Sequence, residues 1–407
     1  MYRNRYLEPH IKRLTKSFPV ILLTGPRQIG KTTLLEYLGK RESPRRNYVS
    51  LDEFGPRTLA NEDPDLFLER YKPPLIIDEI QYAPGLLQRI KILVDRSNKN
   101  GQYWLTGSQH FPLMHGISES LAGRVAIIKL LGFSQGEEYR KRDSGGTFRP
   151  DKKTAPPIKE MSGTDLVFER IVRGTFPRFI HKDVPPTQTY HGSYLQTYIE
   201  RDVRTLTKVM NLSAFEKFLR LAAARAGQLL NLSELARDAQ IAVSTAKEWM
   251  GILEASFQVY LLRPYFRNIS KRQIKTPKLY FLDTGMVCYL TGWHSSEVAS
   301  QGAMAGSLLE NYVISEIIKS YWHHGYEAPL WFWRTKEGHE VDLIIEEEGR
   351  LFPVEIKMSM TPDVNMTKGI LQLKKLSNDV GKGALICLAE SGYPLNREIN
   401  IVPLSCI

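Results

Sequence analysis

The run Gly25, Pro26, Arg27, Gln28, Ile29, Gly30, Lys31 and Thr32, followed by Thr33, has residue types and a spacing that could hold a polyphosphate. It fits GxxxxGK[ST] and lies between the apolar run VILLT and the helix-like TLLEYL, where a strand turns into a helix. Glycines at its two ends let the backbone curl until successive N–H groups face one anion. Lys31 can then reach the β and γ phosphates, Thr32 can ligate Mg2+, and the following helix offers its N-terminus. ATP with Mg2+ is the expected ligand pair.

Hydrolysis needs carboxylates beside that loop, and PLIIDEI supplies them as Asp78 and Glu79 at the end of an apolar strand. Asp78 is placed to hold Mg2+ through water, and Glu79 to polarise the attacking water. The next apolar run, YWLTGSQ, ends in Thr106, Gly107, Ser108 and Gln109. Ser108 is the first choice for reading the γ-phosphate or orienting water, and Gln109 the second. The helix-like HGISESLAGR then ends in Arg124, directly before VAIIKLL.

These groups need a scaffold. From Val20 to Phe133, short apolar runs alternate with helix-like stretches, which predicts a parallel sheet with crossover helices. Arg140 to Gly163 is polar, basic and Gly/Pro-bearing, and reads as an exposed insertion. Between Asn211 and Phe266 two short helices joined by a tight turn are expected, with Ser233 and Ser244 as N-caps. The long helix SLLENYVISEIIKSYW and the strands LWFWR, EVDLII and FPVEIK mark a further α/β unit.

The ordered set GPRQIGKT, LIIDE, LTGSQ and SLAGR resembles the bacterial and archaeal AAA-type ATPases that carry a C-terminal domain of unknown function. The likeness spans nearly the whole chain. It implies that Arg124 acts in trans as an arginine finger on a neighbour's ATP, hence a homo-oligomer and plausibly a ring. The alternative is a helix-terminal arginine answering the dipole. FERIVRGTFPRFI resembles the family's lid helices and YIERDVR its charged linker, which makes Arg173, Arg178, Arg201 and Arg204 nucleotide or coupling candidates.

The stretch from Gly227 to Asn268 has the order of a winged helix-turn-helix, a reading the resemblance supports. Ser244, Thr245 and Lys247 would enter a DNA groove, with Arg263, Arg267, Lys271 and Arg272 on phosphates. Glu248 and Glu254 on the same helix leave a protein-contact module as the alternative.

In EVDLII and FPVEIK, strand alternation puts Glu355 and Lys357 on one face, and a hairpin could bring Asp342 beside them. This arrangement resembles the restriction-endonuclease-like nucleases, with Glu310 matching their acidic residue on the first helix. It implies Mg2+ on Glu310, Asp342 and Glu355, with Lys357 as the nuclease's catalytic residue and His339 and Glu340 flanking. Glu310 shares a face with Val313, Ile314 and Ile317, so it needs a buried partner, and a metal would supply one. Cutting and non-cutting versions of the fold both remain open.

The expected fold class is therefore α/β. An AAA-type ATPase core covers 1–139, and an exposed insertion with helical lid and linker covers 140–210. A winged helix-turn-helix covers 211–270 and a restriction-endonuclease-like domain 271–407. A net charge of +11 favours an anionic partner, here DNA. Cys288, Cys387 and Cys406 show neither zinc spacing nor a disulfide framework, and no apolar stretch is long enough to span a bilayer. A cytoplasmic protein without membrane contact is expected. ATP hydrolysis coupled to DNA binding, remodelling or translocation is the leading expectation. The rivals are an ATP-gated protein-interaction switch with an inert nuclease-like domain and an ATP-dependent DNA nuclease.

Overall fold

A computed structural model describes residues 2–107, 120–141, 143, 146–180, 183–203, 211–265, 276–335 and 338–407. The chain forms two compact units, the first comprising Met1–Phe133 with the short pieces Ala255–Phe257 and Trp322–Tyr326. Its strands are β1 (Val20–Thr24), β2 (Asn47–Ser50), β3 (Leu75–Asp78), β4 (Tyr103–Gly107) and β5 (Val125–Lys129), in the order β2-β3-β4-β1-β5. Every pairing is parallel. β1, β3 and β4 are buried along their whole length, as their uninterrupted apolar runs require in a sheet covered on both faces.

The register aligns the carboxyl ends of these strands. Thr24 sits opposite Gly107 and Lys129, and Ser50 opposite Asp78. The loops that follow therefore open along one edge of the sheet, where α/β folds bind ligands. β4 lies between the phosphate-loop strand and the acid-bearing strand, so polar groups at its end face both. The Leu86–Ser97 helix buries Leu86, Leu87, Ile90 and Val94 at helical spacing, packed with Leu22, Ile77 and Leu105 in one core. Each such buried aliphatic side chain contributes about 1.5–3 kcal/mol.

The second unit holds β6 (Val259–Pro264), β7 (Lys278–Phe281), β8 (Leu330–Arg334), β9 (Glu340–Glu347), β10 (Arg350–Ile356), β11 (Gly383–Cys387), β12 (Tyr393–Pro394) and β13 (Ile399–Pro403). They form one sheet, ordered β12-β13-β11-β10-β9-β8-β6-β7. Glu348 and Gly349 join β9 to β10, both with positive φ (53° and 73°), as a two-residue hairpin turn of right-handed twist demands. That turn sets the register Arg350↔Glu347 to Val354↔Leu343, which continues to place Glu355 opposite Asp342.

Helices Leu212–Ala223, Leu232–Ala239 and Val243–Ala255 precede the antiparallel pair β6 and β7. Asn231, not Ser233, caps the second of these helices by accepting from Glu234 N–H at 3.1 Å. Both Ser233 and Ser244 lie one residue inside their helices, where their backbone is already helical.

Two expectations about domain limits are corrected. The sheet crosses the 270/271 boundary, because β6 pairs with β7 and also runs parallel to β8 at Arg263↔Trp331 and Pro264↔Phe332. The segment from Arg140 to Gly163 is not simply exposed. Phe148, Ile158 and Met161 are buried, Phe148 N–H donates to Ser320 Oγ at 3.1 Å, and Ile158 N–H donates to the Ser405 carbonyl at 3.1 Å. Its polar composition hid a few apolar anchors spaced between lysines and prolines.

The cysteines are buried and unpaired. No helix among the described residues is long and apolar enough to cross a membrane.

Candidate ATP site and the C-terminal cleft

The loop after β1 turns on two glycines. Gly25 has φ 147° and Gly30 φ 87°, and a Cβ at Gly25 would run into the Leu130 carbonyl. Gln28 takes φ 61° between them. The Lys31–Gly39 helix then begins, and Lys31 is 6% exposed with its Nζ donating to the carbonyls of Gly25 (2.9 Å) and Pro26 (2.6 Å). The ammonium thus lies across the loop, held by groups within a few residues of it.

Thr32 Oγ1 donates to Asp78 Oδ1 at 2.7 Å. Asp78, 6% exposed, also accepts from Thr106 Oγ1 and from the Tyr48 hydroxyl, the latter at 3.3 Å. Burial and the neighbouring Asp78 carboxylate both push the Tyr48 hydroxyl's pKa up, so it remains a donor. Thr106 Oγ1 in turn accepts from Glu79 N–H at 3.0 Å. Glu79 has φ 57°, a left-handed backbone uncommon outside glycine, and its carboxylate accepts from Gln81 Nε2. A hydroxyl and a carboxylate 2.7 Å apart at the loop's edge are hard oxygen donors of the kind Mg2+ takes, so the residues fit the ion.

Thr106 is one of the polar groups the sequence places at the end of β4, although Ser108 and Gln109 ranked ahead of it, whereas Tyr48 was not anticipated. The signal available for Thr106 was a hydroxyl two residues nearer the strand's core than Ser108. Ser108 and Gln109 lie outside the described residues, as do Arg204, Arg267, Lys271 and Arg272.

Arg124 precedes β5, at the end of the sheet opposite the phosphate loop, and its carbonyl accepts from Val20 N–H at 3.2 Å. Its guanidinium pairs with Asp95 on the Leu86–Ser97 helix, with Nη2 to Oδ2 at 3.1 Å. Within its own subunit it does not approach the loop. Arg173 pairs with Glu138, and Arg178 and Arg201 are exposed.

In the second unit, Asp342, Glu355, Lys357 and Glu310 line one cleft of about 560 Å3, together with Lys278, Arg334 and Glu340. Asp342 Oδ2 accepts from Ile356 N–H and Lys357 Nζ, both at 2.9 Å, and Lys357 Nζ also donates to Glu355 at 2.8 Å. Burial alone would raise Asp342, but Lys357, Lys278 and the Ile356 N–H outweigh it and hold the carboxyl below its ordinary range. Burial, with Asp342 next to it, pushes Glu355 up to about 8.

The buried Glu310 carboxylate has partners within the protein. Lys278 Nζ donates to it at 3.1 Å and Tyr280 OH donates to the same oxygen, while Lys278 also pairs with Glu340 at 2.5 Å. Two lysines neutralise the cleft's carboxylates, Lys278 on Glu310 and Lys357 on Asp342 and Glu355, and Asp342 lies close enough to Glu310 to push its pKa up. No group of three metal-ligating side chains occurs among the described residues. Neither Lys278 nor Tyr280 was anticipated; a lysine heading the apolar run KLYF was the available hint. His339 is exposed, and Glu340 joins the cleft.

The raised Glu355 has a consequence for stability. The folded protein keeps this proton where the unfolded chain has lost it, so stability falls as pH rises from the ordinary carboxylate range through about 8. The thermal midpoint of Glu355→Gln, followed from pH 5 to 8.5, is expected to fall less steeply than that of the wild type. Parallel curves would mean that the carboxylate is already ionised at pH 5.

Three family matches divide the chain. Residues 17–139 match an AAA domain, 164–297 a domain of unknown function (DUF8612), and 305–407 another (DUF4143). Two proteins described as uncharacterized, from Mycobacterium bovis and Mycobacterium tuberculosis, are each 30% identical over 395 residues, covering 97% of this chain and 82% of the relative. Among solved structures, a Walker-type ATPase of Pyrococcus abyssi is 15% identical with a TM-score of 0.41, over 70% of this chain and 94% of that one. A Holliday junction branch migration motor of Thermotoga maritima is also 15% identical, with a TM-score of 0.31 over 63% and 88%. At such scores neither structural likeness carries an argument.

Proposed function

Because this chain belongs to the same family as the two mycobacterial proteins and its residues 17–139 match an AAA domain, we propose that it is an AAA-type ATPase that hydrolyses ATP to ADP and phosphate and couples that cycle to binding and remodelling or moving DNA. The observation that carries hydrolysis is the chain of contacts from Thr32 to Asp78 to Thr106 to Glu79. The last link fixes the backbone of a carboxylate one residue beyond Asp78, where a general base for water would stand, and so supports hydrolysis over nucleotide holding alone.

In this reading the loop N–H groups and Lys31 bind the β and γ phosphates, and Thr32 and Asp78 hold Mg2+. When bound, the ion supplies neutralisation of charge on the β and γ oxygens. Glu79 holds the attacking water and takes its proton, and Thr106 keeps Glu79 in place. Arg124 lies at the far end of its own sheet, away from its own phosphate loop, which supports a role on a neighbouring subunit's ATP and makes a homo-oligomer part of the proposal.

Support for DNA comes from the net charge and from the three helices followed by an antiparallel pair, an order shared with winged helices. Val243, Ser244 and Lys247 are exposed at the start of the third helix, where a groove-reading face would be. The ion-paired cleft is assigned no cleavage step.

ATP turnover with single-stranded, duplex and branched DNA, in the wild type and Lys31→Ala, tests both halves. Stimulation by one DNA form that fades as salt rises is expected. Turnover indifferent to DNA would replace the DNA half with an ATP-gated protein contact. Wild-type turnover no higher than that of Lys31→Ala would remove the ATPase half.

A further inference from the structure

We propose that Arg5 is a positioning residue of the phosphate loop, orienting the Ile29–Gly30 peptide so that its N–H is presented to the nucleotide's phosphates. The proposal rests on the nucleotide-binding reading above.

Arg5 stands in the charged opening MYRNRYLEPH, just before the Glu8–Thr15 helix. It is 4% exposed, and its guanidinium fans across three backbone carbonyls. Nη1 donates to Ile29 O at 3.2 Å, and Nη2 donates to Leu131 O at 2.7 Å and Gly132 O at 3.3 Å. The Phe133 ring lies 4.3 Å beneath the guanidinium carbon. Desolvating a guanidinium is costly, and the charge-assisted bonds to three buried carbonyls offset that cost. The fork fixes the directions of those carbonyls, a purpose that an apolar side chain in the same slot would not serve.

The geometry of the peptide bond suggests that purpose. In a trans peptide the C=O and the next N–H point in opposite directions. Holding the Ile29 carbonyl toward Arg5 therefore aims the Gly30 N–H away from it. Gly30, at φ 87°, has little steric preference of its own, so the orientation must be imposed from outside.

The partner carbonyls are well placed to impose it. Leu131 and Gly132 belong to the segment just after β5, whose Leu130 carbonyl abuts Gly25 at the loop's other end. Leu131 N–H donates to His323 Nε2 at 3.1 Å, which anchors that segment. Arg5 itself is steadied by its own N–H on Glu8 Oε1 at 2.8 Å. The same oxygen accepts from Tyr2 OH at 2.9 Å, and the Tyr2 ring stacks on Tyr37 of the Lys31–Gly39 helix at 3.5 Å. The N-terminal segment thus holds the loop against the segment following β5 and touches the helix the loop feeds.

The test uses the full chain with Arg5→Lys and Arg5→Met. The readouts are ATP turnover, titration with a fluorescent ATP analogue, hydrogen exchange of the amides in residues 25–32, and the thermal midpoint without nucleotide. A lysine keeps the charge but cannot reach three carbonyls. Arg5→Lys is expected to raise KM for ATP by about tenfold with kcat little changed, as for lost ground-state binding, and to speed exchange at the loop. A lowered thermal midpoint with unchanged KM and unchanged loop exchange would overturn the proposal in favour of a purely structural arginine. So would failure of Arg5→Lys to fold. If the wild type itself binds no nucleotide, the ATPase reading falls, and loop exchange alone then decides whether Arg5 orders the loop.

Discussion

Glu79→Gln is expected to lower kcat for ATP by about two to four orders of magnitude, the usual span for removing a general base, while nucleotide affinity stays within a few-fold of wild type. The separation follows from the geometry. The groups placed to bind phosphate are the loop from Gly25 to Thr32 and the Lys31 ammonium, and Glu79 lies beyond them at the end of β3. Its backbone N–H on Thr106 and its left-handed φ of 57° persist in the amide, so the change removes basicity and little else. Lys31→Ala makes the contrast, because it should weaken binding itself. Phosphate release and fluorescent-nucleotide titration measure the two quantities separately. Turnover of Glu79→Gln within threefold of wild type would pass the role of base to another residue.

Arg170→Met should destabilise the second unit by about 3–5 kcal/mol, the cost of breaking a buried ion pair from one side. Arg170 sits on the Thr164–Arg173 helix at 1% exposure. It pairs with Glu138, approaches Glu316 of the Ala305–Trp322 helix at 3.6 Å, and donates from Nε to Tyr312 OH at 2.8 Å. Lys319 Nζ donates to Glu316 at 2.8 Å, and Gln135 N–H donates to its other oxygen at 2.7 Å. Burial would raise Glu316, yet Lys319 and Arg170 outweigh it and hold the carboxyl below its ordinary range. Methionine fills much of the volume but leaves Glu138 and Glu316 short of a cation. Urea unfolding followed by tryptophan fluorescence should show the loss, and adding Glu316→Gln should restore part of it. An unchanged midpoint would mean that Arg173 and Lys319 already neutralise both carboxylates.

That second effect was not legible in the sequence. An arginine inside FERIVRG looks like a solvated helix charge, and only the arrival of two other elements makes it the centre of a buried network. The insertion from Arg140 to Gly163 misleads for a similar reason, since composition averages over residues while burial is decided by a few anchors such as Phe148 and Ile158.

What the sequence determined by itself is chemistry carried by consecutive residues. A phosphate cradle is made of neighbouring N–H groups, so GPRQIGKT specifies it wherever strand and helix flank it. A buried strand must end somewhere, so LIID announces that Asp78 and Glu79 stand at an edge. Strand alternation likewise announced that Glu355 and Lys357 share a face, and they do meet. The tertiary structure alone decided every partner supplied from a distance. Periodicity could place Glu310 on an apolar face but could not reveal Lys278 and Tyr280 opposite it, 32 and 30 residues away. Nor could it show that Arg5 reaches a carbonyl 126 residues on, because long-range contacts arise from how elements pack and leave no mark on local spacing.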